Sequence, residues 1–343
     1  MRIPGGFGER GRAVAVLIGL LAVAVAPLVA LPAVRCEIFG SGCPKPVQAA
    51  VNDPARPPQR TPLTPVEAAA QGAYVALGDS YSSGLGAEAS VADQNPLARC
   101  QRTSKAYYHQ VAKSFPFKSS AFWACSGATT RTVLTGKSGE PSQLNRIDAN
   151  TSLITISVGG NDVGFSKVLA GCVIKLPWSR SCSDQGRDIA TRMAALRGSL
   201  PDLYDRITAK APRARVIVMG YPRVFSEADG DGGDNISVAD QQWLNARGRE
   251  LNEVIRQTAV EADQRIAGTR GAGSVEFVDA YSSFAGHEVG RPDPYMNGLS
   301  VSVSALAAEP RSFHPTVRGH EALARLFVDQ VRKGPGRPLN QYR

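Results

Sequence analysis

Five short, mainly apolar runs, each ending in small polar residues, alternate with stretches of helical spacing, and this alternation restricts the fold more than any other feature. The runs are Tyr74 to Leu77, Ala121 to Ala124, Leu153 to Val158, Arg215 to Met219 and Val275 to Val278. Each is too short and too continuous for an amphipathic helix and reads as a buried strand. Between them, Arg187 to Ala209 and Val238 to Ala267 have helix-period apolar positions, the second with Leu244, Leu251, Ile255, Ala259, Ala262 and Ile266 on one stripe. Ser237, with Asp240 three residues on, is a capping-box pattern, and a last helix over Val317 to Val331 follows Pro315. The pattern predicts an α/β fold: a single three-layer α/β/α domain over residues 73–333, with a central, mainly parallel five-stranded sheet. In such sheets sites form at the carboxyl ends of the strands.

The start of the chain bears on its compartment. Arg2, Arg10 and Arg12 precede Ala13 to Val34, 22 residues without a polar side chain. Residues 1–34 are therefore expected to be a signal peptide or an N-terminal membrane anchor. The arginines before the run favour the rest of the chain lying outside the cytoplasm, secreted or held on the outer face of the membrane. Seven of the 22 residues from Pro44 to Pro65 are proline, so 35–72 reads as a stiff linker and 334–343 as a flexible tail. Six cysteines agree with export, and Cys36–Cys43, Cys100–Cys125 and Cys172–Cys182 are the simplest pairings.

Other classes are disfavoured. Hydrophobic residues are 43% and charged residues 20%, which argues against a mostly disordered or multi-span membrane chain. The net charge of +9 is spread along the chain without a dense basic block, so no nucleic-acid partner is expected. The cysteines and four histidines lack zinc spacing, and no metal or organic cofactor is expected. The acidic stretch Asp229 to Asn235 raises calcium, but it lacks a glycine at the sixth position and the bidentate Glu, and reads as a surface turn.

Candidate chemistry lies at the strand ends. The first strand runs into Gly78-Asp79-Ser80-Tyr81-Ser82-Ser83-Gly84, which would hold the Ser80 hydroxyl over a crevice. Alone, Ser80 reads equally well as a helix-capping serine. The second strand leads to Gly127, a source of a backbone N–H, and the third to Gly159-Gly160-Asn161-Asp162, whose Asn161 amide could donate to an oxyanion. Each of these is also an ordinary turn. His314, in Ser312-Phe313-His314-Pro315, tips the balance, because a neutral imidazole ahead of the terminal helix can accept a serine proton. His109, His287 and His320 read as structural.

Together these residues carry a resemblance. In order and position, Gly78-Asp79-Ser80, Gly127, Gly159-Gly160-Asn161-Asp162 and His314 are similar to the four sequence blocks of the SGNH (GDSL) hydrolases, over about 260 residues. The chain most resembles secreted actinobacterial esterases and lipases, which also have three disulfides. The resemblance implies an SGNH-hydrolase fold, a serine esterase or lipase cleaving carboxylic esters, Ser80 as nucleophile, His314 as base, and Ser80, Gly127 and Asn161 as the oxyanion hole. The segment Phe284-Ala285-Gly286-His287 through Tyr295-Met296-Asn297-Gly298 is similar to a loop that walls the cleft in those enzymes.

One position departs from the family. Most members have Asp three residues before the histidine, whereas Arg311 stands here. Some secreted members use a backbone carbonyl instead, which implies a Ser–His dyad with the carbonyl of Arg311 orienting His314; Glu309, Asp293 and Asp279 are the alternatives. The expected partner is a small-molecule, lipid or glycan ester, and the expected state a monomer, with membrane or cell-wall association through the N-terminal segment left open. Arg311 also admits a rival class, a non-catalytic surface module of the same fold. Acyl transfer or deacetylation on envelope carbohydrate or glycolipid would use the same residues.

Overall fold

Strands form at all five apolar runs: β1 (Ala73–Gly78), β2 (Ser119–Phe122), β3 (Thr151–Ser157), β4 (Arg215–Met219) and β5 (Ser274–Val278). The computed structural model describes residues 60–87, 99–173, 182–226, 236–302 and 307–343. The N-terminal apolar run, the Cys36–Cys43 pair and the acidic stretch 229–235 lie outside the described residues. The strands are all parallel in the order β2-β1-β3-β4-β5. Every residue of β3 and β4 is buried, as a sheet covered on both faces requires. The edge strand β2 begins two residues before the apolar run, at the exposed Ser119 and Ser120, because an edge needs no continuous apolar sequence.

Among the described residues the helices are α1 (Pro65–Ala70), α2 (Ser80–Ser83), α3 (Tyr107–Ser114), α4 (Thr130–Thr135), α5 (Phe165–Val173), α6 (Gly186–Lys210), α7 (Val238–Gly268), α8 (Ala280–Ser283) and α9 (Val317–Lys333). The long helices α6 and α7 match the predicted spans to within a residue at each end. They pack on each other, while α9 packs on α3 and α1, with Tyr107 stacked on Phe327 at 4.5 Å. A short antiparallel ribbon, β6 (Val301–Ser302) and β7 (Ala307–Ala308), precedes α9.

Two expected boundaries are corrected. The proline-rich linker does not reach residue 72: the folded unit begins at Arg60, and Pro65 starts α1. Thr64 and Glu67 form a reciprocal capping box, and Ala68 and Ala69 are fully buried. Proline at the first helical position is favourable, since its missing N–H would have had no partner there. The tail is not loose either. Leu339 and Gln341 are buried, the amide of Leu63 donates to the Gln341 carbonyl at 2.9 Å, and the Arg337 guanidinium forks onto Asp263.

Beneath the sheet, at the start of β4, Arg215 is fully buried. It makes a forked pair with Glu276 of β5 at 2.8 and 2.7 Å and donates to the carbonyls of Pro65, Gln330 and Val331. One side chain thus joins β4, β5, α1 and α9.

The strand order also positions the candidate site residues. After β1 the chain adds β2 on one side and β3 on the other, so the order reverses at β1. The crevice at such a reversal lies at the carboxyl ends of the flanking strands, where the Ser80, Gly127 and Asn161 loops emerge.

Candidate active site

Gly78 ends β1 at φ +121°, and a Cβ there would lie 2.4 Å from the Ser157 carbonyl, so a side chain would force β1 and β3 apart. The chain then turns into α2. Asp79 caps it by accepting the Tyr81 amide at 3.0 Å, and Ser80 sits buried at its first position.

Ser80 Oγ lies 2.8 Å from His314 Nε2. The other ring nitrogen, Nδ1, is 3.0 Å from the Ser312 carbonyl. A carbonyl only accepts, so Nδ1 bears the proton and Nε2 is left to accept from the serine hydroxyl. Burial pushes the His314 pKa down to about 4, against a smaller upward pull from the Ser312 and Pro310 carbonyls, and the ring is neutral at pH 7.

The expected role of Arg311 is corrected here. Its carbonyl accepts the backbone amide of His314 at 3.1 Å, closing a turn, and the Ser312 carbonyl faces the ring instead. The alternatives are engaged elsewhere: Glu309 pairs with the Arg311 side chain, Asp293 with Arg318, and Asp279 caps α8 through Ser282.

The His314 loop is held in an unusual conformation. Phe313 has φ +59°, a left-handed geometry uncommon for a bulky residue. Its carbonyl accepts the Tyr81 hydroxyl at 2.8 Å, and its amide donates to the Asn297 carbonyl at 3.1 Å. The Asn297 side-chain amide bridges the carbonyls of Gly86 and His314 at 3.0 and 2.9 Å. Asn297 therefore braces the His314 backbone. In the same segment His287 stacks on Tyr295 at 3.8 Å with Nδ1 on the Asp293 carbonyl, so this loop supports the site more than it walls the cavity.

The loops that carry Gly127 and Asn161 are tied to one another. The Cys100–Cys125 disulfide and the bond from the Ser126 amide to the Cys100 carbonyl fix the approach to Gly127. Asp162 accepts from the amide and hydroxyl of Thr130, and the Asn161 side chain donates to the Ala128 carbonyl at 3.0 Å. These contacts bind the loop after β2 to the loop after β3. Cys172 and Cys182, the other described pair, are also joined.

Tyr221, Gln143 and Ser157 complete the support. Tyr221 donates to Asp79 Oδ2 at 2.5 Å and accepts the Gly160 amide at 2.8 Å. Ser157 donates to Asp79 Oδ1 at 2.8 Å, and the Gln143 amide spans both backbone groups of Gly78. Burial raises the Asp79 pKa to about 6 despite the hydroxyls of Tyr221 and Ser157 and the Tyr81 amide. Tyr221 lies two residues past the end of β4, so the strand-end rule could have found it. Gln143 and Asn297 gave no such signal. The remaining histidines are structural in their surroundings: His109 Nε2 meets the Thr103 carbonyl, and His320 is fully buried near Tyr107 with burial lowering its pKa to about 3.

Ser80, Gly127, Asn161 and His314 line one cavity of about 500 Å³, whose other walls are mostly apolar, among them Phe165, Leu169, Phe225 and Leu299.

Residues 76–322 match the model of the GDSL-like lipase/acylhydrolase family, and the chain belongs to that family. It is a carboxylic ester hydrolase of the lipase/esterase type. It is similar to Lipase 1 of Streptomyces coelicolor, at 35% identity over 257 residues covering 74% of this chain and 83% of the relative. Among solved structures it is similar to phospholipase A1 from Streptomyces albidoflavus NA297, with 32% identity, a TM-score of 0.62 and coverage of 77% and 100% of the two chains. The extracellular lipase of Streptomyces rimosus gives 31% identity, a TM-score of 0.62 and coverage of 76% and 98%.

Proposed function

We propose that the enzyme works through an acyl-serine intermediate formed on Ser80. The observation that carries this is the 2.8 Å contact between Ser80 Oγ and a half-buried, neutral His314 whose other nitrogen rests on the Ser312 carbonyl. His314 takes the proton as Ser80 Oγ bonds to the ester carbonyl carbon. It returns that proton to the departing alcohol as the carbon–oxygen bond breaks. Water, deprotonated by His314, then attacks the acyl-serine, and the acid leaves with Oγ regaining its proton. The N–H groups of Ser80 and Gly127 and the amide of Asn161 are assigned to the anion formed in each step. The Ser312 carbonyl keeps Nδ1 protonated and so holds the ring in its working tautomer, in place of a carboxylate.

The substrate reading is an ester with an apolar acyl group, which the mostly apolar cavity favours over an acetylated sugar. The compartment reading is export directed by residues 1–34. Support comes from the arginine-flanked apolar run, the disulfides and the extracellular S. rimosus relative. Ser80 and His314 come from one chain, in keeping with a monomer.

The test is hydrolysis of p-nitrophenyl esters by the full chain exported from an oxidising host, beside Ser80→Ala. Activity confined to the wild type supports the serine mechanism, and equal activity in both refutes it.

A further inference from the structure

Two helices each line the cavity with a set of periodic positions. From α5, Phe165, Leu169 and Val173 recur every four residues, and from α7, Leu244, Gly248 and Leu251 recur at four and three. Each set is a single helix face, as the 3.6-residue period requires. The α7 set spans about 10 Å at 1.5 Å per residue.

Gly248 is out of place by ordinary rules. It lies in the interior of a 31-residue helix, where glycine is the least favourable residue after proline. Its φ is not in the left-handed region, and it neither caps nor ends the helix. Close approach of a neighbour is the usual remaining reason for such a glycine, yet a Cβ built there meets nothing within 4 Å. Gly248 is among the residues that line the cavity.

We propose that Gly248 is a specificity-determining residue: it keeps the α5–α7 part of the cavity deep enough for the aliphatic chain of a medium- or long-chain fatty acyl group. This rests on the reading of Ser80 as nucleophile, which puts the acyl carbonyl at the mouth of the same cavity. A fatty chain has no hydrogen-bonding group, so it loses nothing between two leucine-bearing helix faces. A polyol leaving group would strand its hydroxyls there at a cost. Glycine at 248 sacrifices helix propensity for depth, and a larger residue would fill the space between Leu244 and Leu251.

The experiment compares kcat/KM for p-nitrophenyl acetate, octanoate and palmitate in the wild type, Gly248→Ala and Gly248→Leu, each as the full exported chain. Gly248→Leu is expected to lower the palmitate value by about tenfold or more while acetate stays within about twofold, the range that pocket filling produces. Gly248→Ala is expected to keep palmitate activity and to melt about 2 °C higher, since alanine is the better helix former. If Gly248→Leu does not fold, Gly248→Met carries the same comparison. A proportional loss on acetate and palmitate, or no loss on palmitate, overturns the proposal. Failure of the serine reading is seen separately, as acetate hydrolysis that survives Ser80→Ala.

Discussion

Tyr221, at the carboxyl end of β4, gives its hydroxyl proton to Asp79, the residue before Ser80, at 2.5 Å, while its oxygen takes the amide proton of Gly160 at 2.8 Å. One phenol thus sets the distance between the Ser80 turn and the Asn161 turn, which begin on different strands. Tyr221→Phe removes both bonds and leaves two buried polar groups without this partner. The expected result is a loss of about 1–3 kcal/mol in urea unfolding. A fall in kcat of about 10–100-fold, with KM little changed, should accompany it, because the two turns drift relative to the reacting carbon.

The pH profile should be displaced to acid. Burial lowers His314 to about 4, below the ordinary 6.5, so the neutral ring persists in the folded enzyme until the pH falls close to 4. In the proposed mechanism the neutral form accepts the serine proton, so kcat/KM should hold from pH 7 to about 5 and drop below that. The His314 contribution to stability runs the same way, while Asp79, raised by burial to about 6, works against it as pH falls from 6. The unfolded chain binds protons at His314 between pH 6.5 and about 4 that the folded form refuses, so what His314 contributes to folding is lost as pH falls through that window, and the Asp79→Asn variant isolates it. Kinetics and unfolding measured over pH 4–8 check both; an activity loss centred near 6.5 would contradict the first.

Asn297 and Arg311 should separate sharply. Asn297→Ala removes the side-chain bonds to the carbonyls of Gly86 and His314, leaving His314 only the backbone amide of residue 297, and a displaced imidazole should lower kcat by about 10–100-fold. Arg311→Ala removes only a half-exposed pair with Glu309, so activity is expected within about threefold and stability within about 1 kcal/mol of wild type. Steady-state kinetics on one short ester distinguish the two.

Arg215→Met leaves the Glu276 carboxylate buried without its guanidinium, and about 3–5 kcal/mol of stability should be lost. Replacing both residues by methionine should restore much of it, because the stranded charge is then gone. Denaturant unfolding of the two variants tests the pair directly.

The sheet was legible because Leu153 to Val158 and Arg215 to Met219 are buried on both faces, and burial on both faces leaves a continuous apolar run. The edge strand was misplaced by two residues because Ser119 and Ser120 face solvent and leave no such run. Pro65 concealed α1, since a proline is read as a break unless its capping threonine is weighed with it. In the site, Ser80, Gly127, Asn161 and His314 were legible as strand-end or pre-helix residues of reactive type. The orienting group was not, because any residue supplies a carbonyl and only the left-handed turn at Phe313 selects that of Ser312. Gly248 was hidden for a related reason: its contribution is an absence of atoms, and periodicity counts only what is present.

The bridge between Pro62 and Tyr342, with Gln341 donating to the carbonyls of Arg213 and Ala272 just ahead of β4 and β5, brings the two ends of the folded unit together at the amino edge of the sheet. Ser80 opens at the carboxyl edge. Such a unit suits circular permutation: a short loop can join its ends, and new termini can be cut into another surface turn without disturbing the reacting residues. For the same reason, grafting the folded unit to a bead or electrode through its carboxyl end turns the Ser80 cavity toward the solution.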